Sequence, residues 1–99
     1  MLTVEESKGS VLVVDDNPLM VNVLKGLLQS DNYYVHTSSN GADALEILKN
    51  KTIDVIVCDV MMPRKDGYEL HRLVRKEPNL SHIAFVFLTA LDEHREVNK

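Results

Sequence analysis

Val55-Ile56-Val57-Cys58 is a run of mostly β-branched apolar residues that stops on the carboxylate of Asp59 and gives way to Val60-Met61-Met62-Pro63-Arg64-Lys65-Asp66-Gly67. A run this short cannot make a membrane span, and its composition reads as a strand buried on both faces. Pro63 and Gly67 close it with turn chemistry. The chain is thereby required to bring an acidic side chain to the rim of a sheet.

The same pattern recurs along the chain. Val11-Leu12-Val13-Val14 ends on Asp15 and Asp16, and Ile83-Ala84-Phe85-Val86-Phe87-Leu88 ends on Thr89-Ala90. Tyr34-Val35-His36-Thr37 is a weaker and more polar strand, suited to a sheet edge. Helical periods lie between them. Asn17 caps and Pro18 opens a helix over 18–29, with Met20, Val23, Leu24, Leu27 and Leu28 on one face. After Ser38-Ser39-Asn40, Gly41, Ala44, Leu45 and Leu48 repeat at helical spacing up to Asn50-Lys51, and Tyr68 to Lys76 puts Leu70, Leu73 and Val74 on one face before Glu77-Pro78 stops it. The polar stretch Asp92 to Lys99 has the character of a further helix start. Strands alternating with helices predict right-handed βαβ crossovers: an α/β class, doubly wound around a parallel sheet.

Composition narrows the function classes. The 99 residues carry 44% hydrophobic content, enough for one domain with one core, which the pattern places at 10–99 behind a polar, flexible leader over 1–9. Eleven basic against 15 acidic residues leave a net charge of −4, so nothing electrostatic favours nucleic acid or an anionic membrane. The lone cysteine, Cys58, sits inside an apolar strand and reads as a small hydrophobe, in keeping with a reducing compartment. No secretory signal or apolar span is visible, so a cytoplasmic location is the default expectation.

Ligands of open doubly wound sheets bind beyond the carboxyl ends of the strands. Three of the four predicted strands end there on functional side chains: Asp15 and Asp16, Asp59, and Thr89. Carboxylates brought together repel one another, and a hard divalent cation with oxygen ligands offsets that repulsion. Mg²⁺ takes one or two carboxylates and leaves positions for water and phosphate oxygens, so Asp59 is then placed to attack a phosphoryl group. His36, His71, His82 and His94 have no ligand-like spacing and read as surface or capping residues. Met61-Met62 reads as loop packing or a partner surface, and Tyr68 with the Leu70, Leu73, Val74 stripe reads as core.

These residues together resemble the receiver domain of bacterial two-component response regulators. The resemblance is carried by Val11-Leu12-Val13-Val14-Asp15-Asp16-Asn17-Pro18, by Cys58-Asp59-Val60-Met61-Met62-Pro63 with Asp66-Gly67, and by Phe87-Leu88-Thr89-Ala90, with the intervening elements in matching order and length. It implies a flavodoxin-like receiver fold with strand order 2-1-3-4. It further implies Asp59 as phosphoacceptor, Asp16 as a direct Mg²⁺ (or Mn²⁺) ligand, and Asp15 acting largely through metal-bound water. The Met61 backbone carbonyl would be a further ligand and Thr89 a hydrogen-bond donor to a phosphoryl oxygen. Pro63 and Gly67 would shape the loop, and Ala90 would leave access to the acceptor. The implied partner is a sensor histidine kinase or a phosphotransfer protein. The implied chemistry is self-phosphorylation and autodephosphorylation, not turnover of a separate substrate as by an enzyme.

The family pattern continues through a fourth helix, a fifth strand ending in Lys-Pro and a fifth helix. Here the resemblance implies that strand five and helix five are missing, about 25 to 30 residues by average element lengths. The phosphoryl-pairing Lys and the aromatic switch residue go with them, which would impair the chemistry. Lys65 and Lys99 are poorly placed to substitute. An uncovered edge at 83–88, or a bare helix face over 18–29, then favours self-association. The alternative function is a non-switching receiver serving as an interaction or dimerisation module. A flavin protein or an aspartyl-phosphate hydrolase on a related fold is the weaker competitor. No Gly- or Ser/Thr-rich phosphate loop follows the first strand, and Met61 stands where a second acid would follow Asp59.

Overall fold

The computed structural model describes residues 7–60 and 67–88. Its elements alternate as expected: β1 (Ser10–Val14), α1 (Pro18–Ser30), β2 (Tyr34–Ser38), α2 (Gly41–Asn50), β3 (Val55–Asp59), α3 (Gly67–Lys76) and β4 (Ala84–Leu88). All strand pairs are parallel and the sheet order is β2-β1-β3-β4. The polar Tyr34–Ser38 segment is the edge strand beside β1, and the two apolar runs ending on acids lie together at the centre. Val14 pairs with Ser38 on one side and Cys58 on the other, and Asp59 pairs with Leu88, the residue before Thr89.

Period-2 alternation divides the central strands between two faces. Leu12, Val14, Ile56 and Cys58 point to the face where α2 brings Ala44 and Leu48 and α3 brings Leu70 and Val74, all buried in one cluster with Ile53 and Ile83. The opposite face is covered by α1, which lies against β1 and β2. There Val11 and Val13 are buried, but Val55, Val57 and Asp59 are only half-buried. The expectation that the third strand is buried on both faces is therefore corrected. Among the described residues, α1 is the helix on that face, and it sits over β1 and β2 rather than β3.

Helix α1 also turns differently from the simple reading of its stripe. Val21, Leu24 and Leu28 are half-buried, whereas Leu19, Met20, Val23 and Leu27 are exposed and no residue of the helix is fully buried. The helix ends at Asp31, and Asn32 turns the chain with φ 70°, a conformation its short polar side chain tolerates. Within the expected leader, the Lys8 amide donates to the Asn32 carbonyl at 2.7 Å and the Gly9 carbonyl accepts from Tyr34 at 2.9 Å. Lys8 and Gly9 are thus tied to the α1–β2 turn and to the start of β2.

At the other end, Arg75 donates to the carbonyls of Ser81 (2.8 Å) and Ile83 (2.7 Å), tying the end of α3 to the start of β4. Two side-chain expectations are corrected on this helix. His71, expected as a surface or capping residue, is half-buried: it packs edge-on against Phe85 at 4.9 Å and beside Phe87 at 5.4 Å between centroids. Tyr68 is largely exposed rather than core, resting one side against Phe87 at 5.1 Å. Both follow from α3 pairing Leu70 and Val74, not Tyr68, with the core.

Candidate functional site

Three acidic side chains meet at the carboxyl end of the central strands. Carboxylate oxygens of Asp15, Asp16 and Asp59 all lie within 4.8 Å of one another, with Asp15 buried, Asp16 exposed and Asp59 between. The register explains the convergence: Val14 and Cys58 are paired neighbours, so the residues that follow each leave the sheet side by side.

Asp15 is held through both its backbone and its side chain. Its amide donates to the Ser38 carbonyl at 3.0 Å, which extends the β1–β2 ladder past the strand. Its carboxylate accepts the Asn17 amide at 2.9 Å, an Asx-turn contact two residues on. Asn17 in turn caps α1, its side-chain oxygen accepting from Leu19 at 3.0 Å and Met20 at 3.4 Å. Burial raises the Asp15 carboxyl above the usual carboxylate range, the Asn17 amide works in the opposite direction, and the negative charges of Asp59 and Asp16 add to the rise.

Two charges at this separation repel by about 1 kcal/mol in water and by about 3 to 4 kcal/mol at an effective dielectric near 20. Solvent and salt weaken the share that involves exposed Asp16. The donor set is all carboxylate oxygen. Among the described residues, Cys58 is the thiol beside the site; it is buried in the α2–α3 core and its Sγ lies 3.1 Å from the Asp59 carbonyl. Oxygen donors with no thiolate or imidazole fit a hard divalent cation rather than a zinc or copper site. Beside the acids, a cleft of about 680 Å³ runs between α1 and α2 and is lined by Val21, Thr37, Asp43 and Glu46 among others.

Gly67 belongs to the site through its backbone. Its amide donates to the Val60 carbonyl at 3.1 Å, and it opens α3 directly behind the end of β3. A Cβ placed here would overlap the Asp59 carbonyl oxygen and sit 2.9 Å from the Val60 Cα. Only a residue without a side chain permits this approach. Of the other expected site residues, Met61, Pro63, Thr89 and Ala90 lie outside the described residues, as do Lys65, His94 and Lys99.

In the sequence Asn17 reads as a cap and as part of the resemblance, and Ser38 as punctuation before the second helix, but neither reads as a support of Asp15. The signal for Asn17 was its place two residues after an Asp that ends a strand. No signal marked Ser38, whose carbonyl is defined only by the register of two strands.

Residues 11–99 match the model of the response regulator receiver domain, and the chain belongs to that family. It is 36% identical, with a TM-score of 0.81, to the signal receiver domain of a signal transduction histidine kinase from Syntrophus aciditrophicus, covering 91% of this chain and 68% of that one. A receiver domain of a sensor histidine kinase from Pseudomonas aeruginosa, with a magnesium ion coordinated in its active-site cleft, is 31% identical at a TM-score of 0.80, covering 89% of this chain and 74% of that one. Among curated proteins, a probable transcriptional regulator ycf27 of Porphyra purpurea is 40% identical over 89 residues, which are 90% of this chain and 35% of the relative. The chain spans about a third of the length of the ycf27 regulators it matches and less of other curated relatives. No helix among the described residues is long and apolar enough to cross a membrane.

Two predictions follow from the geometry. Gly67→Ala forces the start of α3 away from Asp59 and costs about 1 to 3 kcal/mol of stability in a denaturant melt; a variant as stable as the parent would contradict the close approach. Asp15 has a raised carboxyl pKa in the fold, so the folded state binds its proton more tightly than the unfolded chain does. Stability contributed by this group therefore falls as pH rises from the ordinary carboxylate range through the raised value, and stays lower above it. Asp15→Asn is expected to raise the melting temperature of the metal-free protein at neutral pH, with the advantage shrinking toward acid. A gain that grows on acidification would contradict this.

Proposed function

We propose that Asp59 is the phosphoacceptor of this receiver domain, taking a phosphoryl group from the phosphohistidine of a sensor histidine kinase or phosphotransfer protein, or from a small acyl phosphate. The observation that carries the reading is the meeting of Asp15, Asp16 and Asp59 within 4.8 Å at the carboxyl end of a parallel sheet. The family membership and the magnesium-holding relative support it.

Asp15, Asp16 and Asp59 would hold Mg²⁺, with Mn²⁺ as the chemically similar second choice and the Met61 carbonyl as a further donor. Bound there, the cation neutralises charge on the acids and on the incoming phosphoryl oxygens. Asp59, half-buried at the strand end, presents one carboxylate oxygen to the phosphorus. The new O–P bond forms as the donor's P–N or P–O bond breaks, and the group leaving is the donor's imidazole or carboxylate. Asp16 is the exposed acid and stays open to exchange with solvent, while buried Asp15 is fixed by its backbone contacts. Thr89, next after the residue paired with Asp59, is proposed to hydrogen-bond the phosphoryl oxygen, with Pro63 and Ala90 shaping access. The reaction modifies the chain itself, so it is signalling chemistry rather than enzymatic turnover.

A second reading, self-association of two copies, is favoured by the exposure of Leu19 (71%) and Leu27 (63%) on α1 and of Val86 (48%) on β4. Apolar side chains grouped this way on one helix are a typical association surface.

Incubation with Mg²⁺ and acetyl phosphate is expected to add the mass of one phosphoryl group to the protein and none to Asp59→Asn. An unmodified parent, or an adduct that survives in Asp59→Asn, would remove Asp59 from the role. For the second reading, light scattering across micromolar concentrations is expected to show a mass that rises toward a dimer and falls back on Leu19→Lys with Leu27→Lys; a constant monomer mass would exclude it.

A further inference from the structure

We propose that Asn17 is a positioning residue of the acidic site, tying the Asp15 carboxylate to the first turn of α1 so that the two move as one unit. The inference rests on the cation reading above and adds to it a residue that holds a ligand without being one.

Pro18 occupies the first helical position and has no amide hydrogen, so the first orphan donors of α1 are Leu19 and Met20. The Asn17 side-chain oxygen accepts from both. This fixes the side chain, and the proline that follows restricts Asn17 to the extended backbone it adopts, φ −94° and ψ 108°. In that conformation its own amide points back at the Asp15 carboxylate, 2.9 Å away. One residue thus faces two ways: its side chain holds the helix and its backbone holds the acid.

The consequence is directional. Asp15 is buried and its other anchor, the amide bonded to Ser38, fixes the backbone but not the carboxylate. Among the described residues the Asn17 amide is a backbone donor held against the carboxylate, whose other neighbour is the Asp16 side chain, and the aim of that amide depends on the cap. Losing the side-chain oxygen frees the first turn, releases the Asn17 backbone and loosens Asp15. By linkage, a ligand that tightens Asp15 must also tighten the amides of Leu19 and Met20.

The test is Mg²⁺ titration calorimetry on the full chain, with Asn17→Ala, Asn17→Ser and Arg75→Ala compared with the parent, and thermal melts to establish that each is folded. Arg75 braces the α3–β4 turn, far from the acids, and serves as a destabilised control. Asn17→Ala is expected to weaken Mg²⁺ binding by roughly tenfold, the low end of what loss of an outer-shell partner costs. Asn17→Ser, which keeps an acceptor oxygen, is expected to restore most of that affinity, and Arg75→Ala to melt lower with its affinity unchanged. Parent-like affinity in Asn17→Ala, or an equal loss in Arg75→Ala, would overturn the proposal. A second arm needs no metal: Asp15→Ala is expected to speed amide hydrogen exchange at Leu19 and Met20 while Asp16→Ala leaves it unchanged. Equal exchange in the parent and Asp15→Ala would overturn the coupling. A parent chain that takes up no Mg²⁺ would instead overturn the cation reading, leaving the exchange arm to decide the coupling.

Discussion

The charge gathered at the ends of β1 and β3 is the constraint to which the surrounding structure answers. Two adjacent parallel strands, in register at Val14 and Cys58, bring Asp15 and Asp59 out of the sheet side by side, and Asp16 joins them. Placing carboxylates this close costs free energy on its own, and burying Asp15 adds to the cost. The fold meets part of it with backbone dipoles: the Asn17 amide on the carboxylate, and a rigid frame set by Ser38 and by the bare backbone of Gly67. In the cation reading proposed above, a positively charged ligand would offset the remainder. A site that is destabilising when empty binds its ligand with a corresponding linkage to stability.

Much of this was legible in the sequence because it is local or periodic. The runs at 11–14 and 55–58 announce buried strands, the polar character of 34–37 announces an edge, and acids following the runs announce where charge collects. The pairing of Asn17 with Pro18 marks the start of α1. What could not be read is what depends on how elements turn and overlap. The stripe on α1 is visible, but whether Met20 and Leu27 or Leu24 and Leu28 face the sheet depends on the helix's rotation, and the half-buried set is Val21, Leu24 and Leu28. A strand of Val-Ile-Val-Cys reads as buried twice over, yet α1 sits over β1 and β2 and leaves Val55 and Val57 half-buried. The aromatic cluster of Tyr68, His71, Phe85 and Phe87 joins two elements that no spacing rule connects.

The two faces of the sheet therefore play unequal parts. The α2–α3 face is closed by Leu12, Ile56, Leu70 and Val74, all fully buried, and supplies the stability on which the strand register rests. The α1 face is thinly covered over β3 and carries exposed apolar side chains on its helix. Helix α1 joins the acids at its first turn through Asn17 and presents apolar surface along its length. Charge at one end of this helix and exposed apolar side chains along it are thereby parts of the same element.

The measurement that tests the account most directly is the melting temperature of the chain as a function of Mg²⁺ at neutral pH and at a pH near the ordinary carboxylate range. If the three acids form a cation site whose empty state is strained by repulsion, the melting temperature rises with Mg²⁺ and saturates. At about a hundredfold excess over the dissociation constant the rise corresponds to roughly 2.7 kcal/mol, on the order of 10 °C or more for a domain of this size. The effect shrinks as the carboxylates take up protons. A melting temperature indifferent to Mg²⁺ at neutral pH would contradict the central claim.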